Sequence, residues 1–259
     1  VSVDTDSPAG TQDQHHRHLV QFYGSAAGEL VDNLKRYIAE GIAAGSAILI
    51  VATPEHTDAI LEALPELADG TELARAITCL DAQATLDRFI VGGRPDWRLF
   101  GQTVGSIVRS LRRAAPSGTL RVYGEMVGLL WQAGDTEAAV CLEKFWNVLL
   151  ADDEFALFCG YPIDVFAADF SGEAAAELLC THTHVLAGKA NADLAGALDV
   201  AMRDVFGAET DAVRERMRAE CGAAARVAPA EAAMLWLRKN APRADDILSR
   251  ARTYYHQSA

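Results

Sequence analysis

TLRVYGEMVGLLWQAGDTEAAVCLEKFWNVLLADDEFALFCGYPIDVF, residues 119–166, decides the fold class. An apolar run from Leu120 to Tyr123 ends in Gly124-Glu125-Met126 and passes directly into a helical pattern. Met126, Leu129, Leu130, Leu142, Phe145, Trp146 and Leu149 recur at spacings of three and four, the period of a helix face. A second apolar run, Phe155 to Gly160, stops at Tyr161-Pro162. Strand, acidic residue, helix pair and strand is the order of a parallel α/β unit, since parallel neighbours need a crossover long enough to hold helices. Ligands of such sheets sit outside the carboxyl ends of the strands. That rule singles out Glu125 and Tyr161.

The pattern repeats upstream. His18-Leu19-Val20-Gln21-Phe22-Tyr23 is β-favourable, and Leu30, Leu34, Tyr37, Ile38 and Ile42 stripe a helix ended by Gly45. Ala47 to Ala52 is a continuous apolar run, as in a strand buried on both faces. Thr53 then suits an N-cap and Pro54 the first helical position, ahead of Ile60, Leu61, Leu64 and Leu67. A third strand, Ala76 to Leu80, ends at Asp81 and leads to a helix carrying Leu86, Phe89 and Ile90. Residues 92–96 make a turn, and 97–114 a helix through Phe100, Val104, Ile107, Val108 and Leu111. Five strands separated by helices predict a mostly parallel five-stranded sheet with helices on both faces.

Downstream of Ser171 no strand pattern remains. Leu194, Leu198, Ala201 and Val205 make one helical stripe, and Val213, Met217 and Ala224 a weaker one. Pro229 and Pro242 stand where further helices start, so 171–259 reads as an all-helical appendage packed on the α/β domain. Residues 1–14 read as a flexible polar leader.

At 259 residues, half of them hydrophobic and 23% charged, the chain suits a soluble globular protein with a sizeable core. No apolar run approaches the ~20 residues of a membrane span, and the first residues lack a secretory pattern. The net charge of −13 is concentrated in residues 1–171, which hold 24 acidic and 12 basic residues. Such a surface repels phosphate backbones, so direct nucleic-acid binding and membrane attachment are not expected. Five scattered cysteines, an odd number, read as reduced thiols of a cytoplasmic protein.

Several stretches invite chemistry. In FYGSAAGEL, 22–30, two glycines precede a helix N-terminus, the place for anion binding. A Walker A loop would need lysine and a hydroxyl after the last glycine; Glu29 and Leu30 stand there. Glu125 occupies the position of a Walker B acid or a base, and its contact with a ligand or its capping of the following helix both stay open. Cys180-Thr181-His182-Thr183-His184 resembles a metal run. Read as a helix, however, only 180 and 184 share a face, so no metal is expected. No G-x-S-x-G is present, and no catalytic set or cofactor is expected. Aromatic residues gathered near the strand ends, with His18, Gln21 and Glu125 as polar anchors, have the composition of a small-molecule pocket.

HLVQFY at 18–23, ATPEH at 52–56, LDAQATLDRFIVGGRPD at 80–96, GEMVGLLWQAG at 124–134, LEKFWN at 142–147 and FCGYPIDVF at 158–166 resemble the MEDS family. That sensory domain is named for methanogens, methylotrophs and a dichloromethane-responsive repressor. The resemblance covers about 15–170 and implies a RecA/KaiC-like fold with a degenerate nucleotide site. It also implies small hydrocarbon-like ligands and signalling partners of the kinase or anti-sigma type. Carried over by motif are His18, Phe22, Tyr23, Pro54, His56, Asp81, Glu125, Trp131, Trp146, Asn147, Tyr161 and Pro162.

These readings converge on a non-enzymatic sensory module that binds a small ligand at the strand ends and signals to a partner protein. An atypical nucleotide switch or ATPase, and an interaction scaffold with a vestigial site, are the alternatives. Homo-oligomerisation stays open.

Overall fold

The unbroken apolar runs become strands covered on both faces. In β2, Ala47–Ala52, every residue is buried: Ala47, Leu49 and Val51 enter one core, and Ile48, Ile50 and Ala52 the other. The same alternation divides β1, His18–Phe22, β6, Leu120–Gly124, and β7, Ala156–Tyr161. A period of two on each face explains why these strands read as continuous rather than alternating hydrophobicity. The computed structural model describes residues 18–23, 28–64, 76–167, 170, 172–182, 184–185, 189–221 and 229–258. The predicted leader, Gly24, Ser25, Leu67, Thr183 and Ala224 lie outside them.

The five expected strands form one parallel sheet, with β3, Ile77–Asp81, at one edge and a short sixth strand, β8, His184–Val185, at the other. The order is β3-β2-β6-β7-β1-β8, all neighbours parallel. β8 corrects the expectation of no strand beyond Ser171: its two residues pair with Leu19 and Val20 and are too few to show a period. Helices α1, Gly28–Ala43, and α2, Pro54–Glu62, cover one face.

On the other face the chain departs from the expected helices. α3, Ala82–Leu86, stops before Phe89, and Ile90 instead enters a hairpin of β4, Ile90–Val91, and β5, Arg94–Pro95. Gly92 and Gly93, with φ of 58° and 80°, supply the left-handed turn that joins the two strands. The predicted helix 97–114 is α4, Trp97–Phe100, a π-helical segment, Gly101–Gly105, and α5, Ser106–Ala114. Helices α6, Met126–Gln132, and α7, Thr136–Asp152, complete this layer with α8, Gly172–Cys180.

The C-terminal helices α9, Lys189–Phe206, α10, Thr210–Cys221, α11, Pro229–Asn240, and α12, Ala244–Ser258, share a separate core centred on Leu198, Ala201, Met234, Leu237 and Ile247. That bundle docks on the segment after β7. Arg238 of α11 donates to the carbonyls of Phe166 and Ala167 at 3.0 and 2.9 Å, and Arg252 pairs with Asp164 at 3.2 Å. Among the described residues no helix is long and apolar enough to cross a membrane.

Candidate functional site

β2 and β6 are neighbours whose onward connections part. β2 leads through α2 to β3 on one side, and β6 leads through α6 and α7 to β7 on the other. Helices leaving on opposite faces open a crevice at the carboxyl ends of the two strands, the usual ligand position in an open parallel sheet. Glu125 follows β6 directly and Thr53 follows β2 directly.

The local sequence explains the geometry. Thr53 N-caps α2, its hydroxyl accepting the His56 N–H, and Pro54 occupies the first turn without a wasted donor. The cap leaves the Thr53 N–H free to point into the crevice, where Glu125 Oε2 accepts it at 3.0 Å. His56, three residues into the same turn, brings Nδ1 to 2.7 Å from Glu125 Oε1. The Tyr123 hydroxyl donates to that oxygen at 2.5 Å. Tyr23 stands edge-on to His56, ring centroids 5.8 Å apart.

Glu125 is 2% exposed, whereas the His56 side chain keeps 26% of its surface open. The carboxylate is thus sequestered and the imidazole is its outward face. Hydrogen bonding to Glu125, reinforced by the carboxylate charge, raises His56 above its ordinary value despite partial burial. Burial foremost, then the charge of Glu125, pushes the phenols of Tyr23 and Tyr123 up, so both remain donors. The arrangement can present a protonated imidazole, backed by a carboxylate, to a polar atom of a small molecule.

Tyr23, Pro54, His56 and Glu125 are therefore brought together, and other expected site residues are not. Asp81 ends the adjacent strand, but it is exposed and its carboxylate caps α3 through Ala84 N–H at 2.6 Å. Trp131 and Trp146 are core residues, Trp146 packing edge-on against Phe100. Pro162 fills the space beside Gly128, where a Cβ would fall 2.7 Å from its Cδ. Tyr161, expected over the strand ends, turns into the opposite core and packs on Phe22 and His182. Glu125 holds the N-cap position of α6 yet makes no capping bond there; its side chain turns back to the start of α2 instead.

His18, which is buried, and Asn147, which is half-buried, belong to a second cluster under α7. His18 Nδ1 lies 3.0 Å from Asn147 Oδ1 and 3.1 Å from the Thr181 carbonyl. Its Nε2 faces Glu143 Oε2 at 3.2 Å and Cys159 Sγ at 3.3 Å. His182 Nε2 approaches the other Glu143 oxygen at 3.5 Å, while its Nδ1 donates to Leu178 carbonyl at 2.8 Å. Burial alone would raise Glu143, but the two imidazoles hold it down to about 2. Burial, with His18 alongside, depresses His182. Burial and Glu143 push the Cys159 thiol up.

A family model described as MEDS, MEthanogen/methylotroph, DcmR Sensory domain, matches residues 17–183. The chain belongs to the MEDS family. No curated protein matches it. The MEDS match extends through α8 to include His182, so every residue of both clusters lies within the sensory domain.

Sequence reasoning missed Thr53 as a donor, Tyr123, Glu143, Cys159 and His182. Glu143 carried a readable signal: it lies four residues after Ala139 and three before Trp146, a charge on the buried stripe of α7. The metal reading of 180–184 failed on the assumption of a continuous helix. α8 ends at Cys180, and His182 beyond it turns back into the core.

Proposed function

We propose that this MEDS domain senses a small ligand of mixed polarity in the crevice between β2 and β6, and that the helical tail passes occupancy to a signalling protein. The observation that carries the reading is the buried Glu125 carboxylate at the strand switch point, braced by Thr53 and Tyr123 and capped by the half-open His56. A sequestered acid behind a raised imidazole suits recognition of an electronegative atom, and the Tyr23 ring suits an apolar body beside it.

A contiguous route leads to the tail. Tyr23 N–H donates to the Tyr161 carbonyl at 2.9 Å, and the chain beyond Tyr161 is the segment gripped by Arg238. Ligand binding changes output along this route only to the extent that it favours one of two arrangements of the segment.

Calorimetry on the full chain tests the proposal, using short-chain alcohols, carboxylates and halogenated hydrocarbons beside MgATP and MgGTP. Binding of one of the small organic classes, lost in His56→Ala while circular dichroism stays unchanged, is expected. Magnesium-dependent nucleotide binding, or binding that His56→Ala and Glu125→Gln both leave intact, overturns it.

A further inference from the structure

Four donor atoms from four separate parts of the chain converge in the core away from the crevice. His18 of β1, Glu143 of α7, Cys159 of β7 and His182 beyond α8 each turn one ligand atom to a common point, all within 4.8 Å of one another. All four residues are buried, Glu143 completely. The acceptors around each Nδ1 fix its proton: the Asn147 and Thr181 oxygens for His18, the Leu178 carbonyl for His182. Each ring's Nε2 is thereby turned to the Glu143 carboxylate, and that of His18 to the Cys159 sulfur as well.

Electron-rich atoms facing one another in a dry core are costly unless a cation lies among them. Both Glu143 oxygens and His182 Nε2 indeed lack a hydrogen-bond partner. The spacings fit a metal: a tetrahedral zinc with bonds of about 2.0–2.3 Å has donor–donor edges of about 3.3–3.7 Å. Three of the separations are 3.2, 3.3 and 3.5 Å, the two imidazoles meeting different Glu143 oxygens, and the whole set lies within 4.8 Å. An imidazole that ligates through one nitrogen ordinarily donates its other N–H to a carbonyl or amide oxygen, as both do here. One carboxylate and one thiolate also neutralise a divalent ion.

We propose that His18, Glu143, Cys159 and His182 form a closed site for a divalent transition metal, with zinc the ion that best suits two imidazoles, a thiolate and a carboxylate. Four protein ligands leave no open position, so the ion is structural. It pins the chain between α8 and the helical tail onto β1, β7 and α7. Neither this site nor its test depends on the crevice, since no ligand is shared with Glu125 or His56.

The test uses the full chain, stripped with a chelator and titrated with cobalt(II) and zinc(II). One equivalent is expected to bind, and the cobalt form to show a thiolate-to-metal charge-transfer band with the intense visible bands of tetrahedral geometry. Cys159→Ser removes the charge-transfer band, whereas Cys79→Ser and Cys180→Ser, at exposed cysteines, keep it. Asn147→Ala, which takes away a partner of His18 Nδ1 and the amide donor to the Thr181 carbonyl but no ligand, weakens uptake about 10- to 100-fold. Glu125→Gln leaves uptake unchanged. A chain that unfolds on stripping and refolds with one zinc equivalent supports the site equally. A stripped, folded wild type that takes up neither metal, or a cobalt spectrum indifferent to Cys159→Ser, overturns it: the cluster is then a buried imidazolium–carboxylate pair.

Discussion

Replacing Glu125 by glutamine preserves size and shape and removes the charge that three donors share. Thr53 N–H, the Tyr123 hydroxyl and His56 Nδ1 lie 3.0, 2.5 and 2.7 Å from its oxygens. An amide can still satisfy all three. Its oxygen takes the Thr53 N–H, its NH₂ donates to the Tyr123 oxygen, and His56 turns to the neutral tautomer with Nδ1 as acceptor. Hydrogen bonds to a charged group are about twice as strong as neutral ones, a difference of about 0.5–1 kcal/mol each. Three of them predict a loss of about 1.5–3 kcal/mol in urea unfolding, within the reserve of an ordinary domain.

The loss also depends on pH, with a definite sign. His56 is raised in the folded state, so its contribution is complete below the unfolded value near 6.5 and fades as pH rises through the folded value. Glutamine removes that contribution. The stability gap between wild type and Glu125→Gln is therefore wider at about pH 5.5 than at about pH 9. Unfolding curves at both values give the gap directly, and groups remote from the substitution cancel. A gap that is constant with pH, or below about 0.5 kcal/mol throughout, would refute the coupled Glu125–His56 pair.

Three further perturbations follow from the same geometry. Gly160→Ala places a Cβ 2.5 Å from the Tyr123 hydroxyl, which Glu125 holds in place, and should cost about 1–3 kcal/mol in urea unfolding and weaken ligand affinity together. Asp81→Ala removes the cap of α3, so unfolding should register a loss of about 1 kcal/mol while calorimetry shows ligand affinity unchanged. Arg238→Met keeps the aliphatic stem but withdraws the charged donor from the Phe166 and Ala167 carbonyls; limited proteolysis should cut faster within 162–170, with the sheet domain's circular dichroism unaltered.

What could be read before any coordinates were those features that obey a local rule. The run Ala47 to Ala52, the Thr53-Pro54 start of α2 and the heptad-like spacing through α7 each follow from backbone sterics or from one buried face, and each formed as read. Glu125 and Tyr161 were both placed at strand ends by the same logic. Which way each side chain turns was another matter, because it depends on register and on the partner strand rather than on position along the chain. Glu125 meets the α2 side of the sheet, whereas Tyr161 enters the opposite core.

Sequence by itself thus determined the parallel α/β class, the helical tail and the family, since hydrophobic period and motif order are properties of contiguous residues. Only the tertiary structure decided the strand order, and with it the switch point that joins Thr53 and His56 to Glu125 across about seventy positions. The cluster of His18, Glu143, Cys159 and His182 is of the same kind. Its members come from two strands, a helix and the chain beyond α8, and nothing in one segment points to the others. They become a set because packing brings them to one point, a relation that no local pattern encodes.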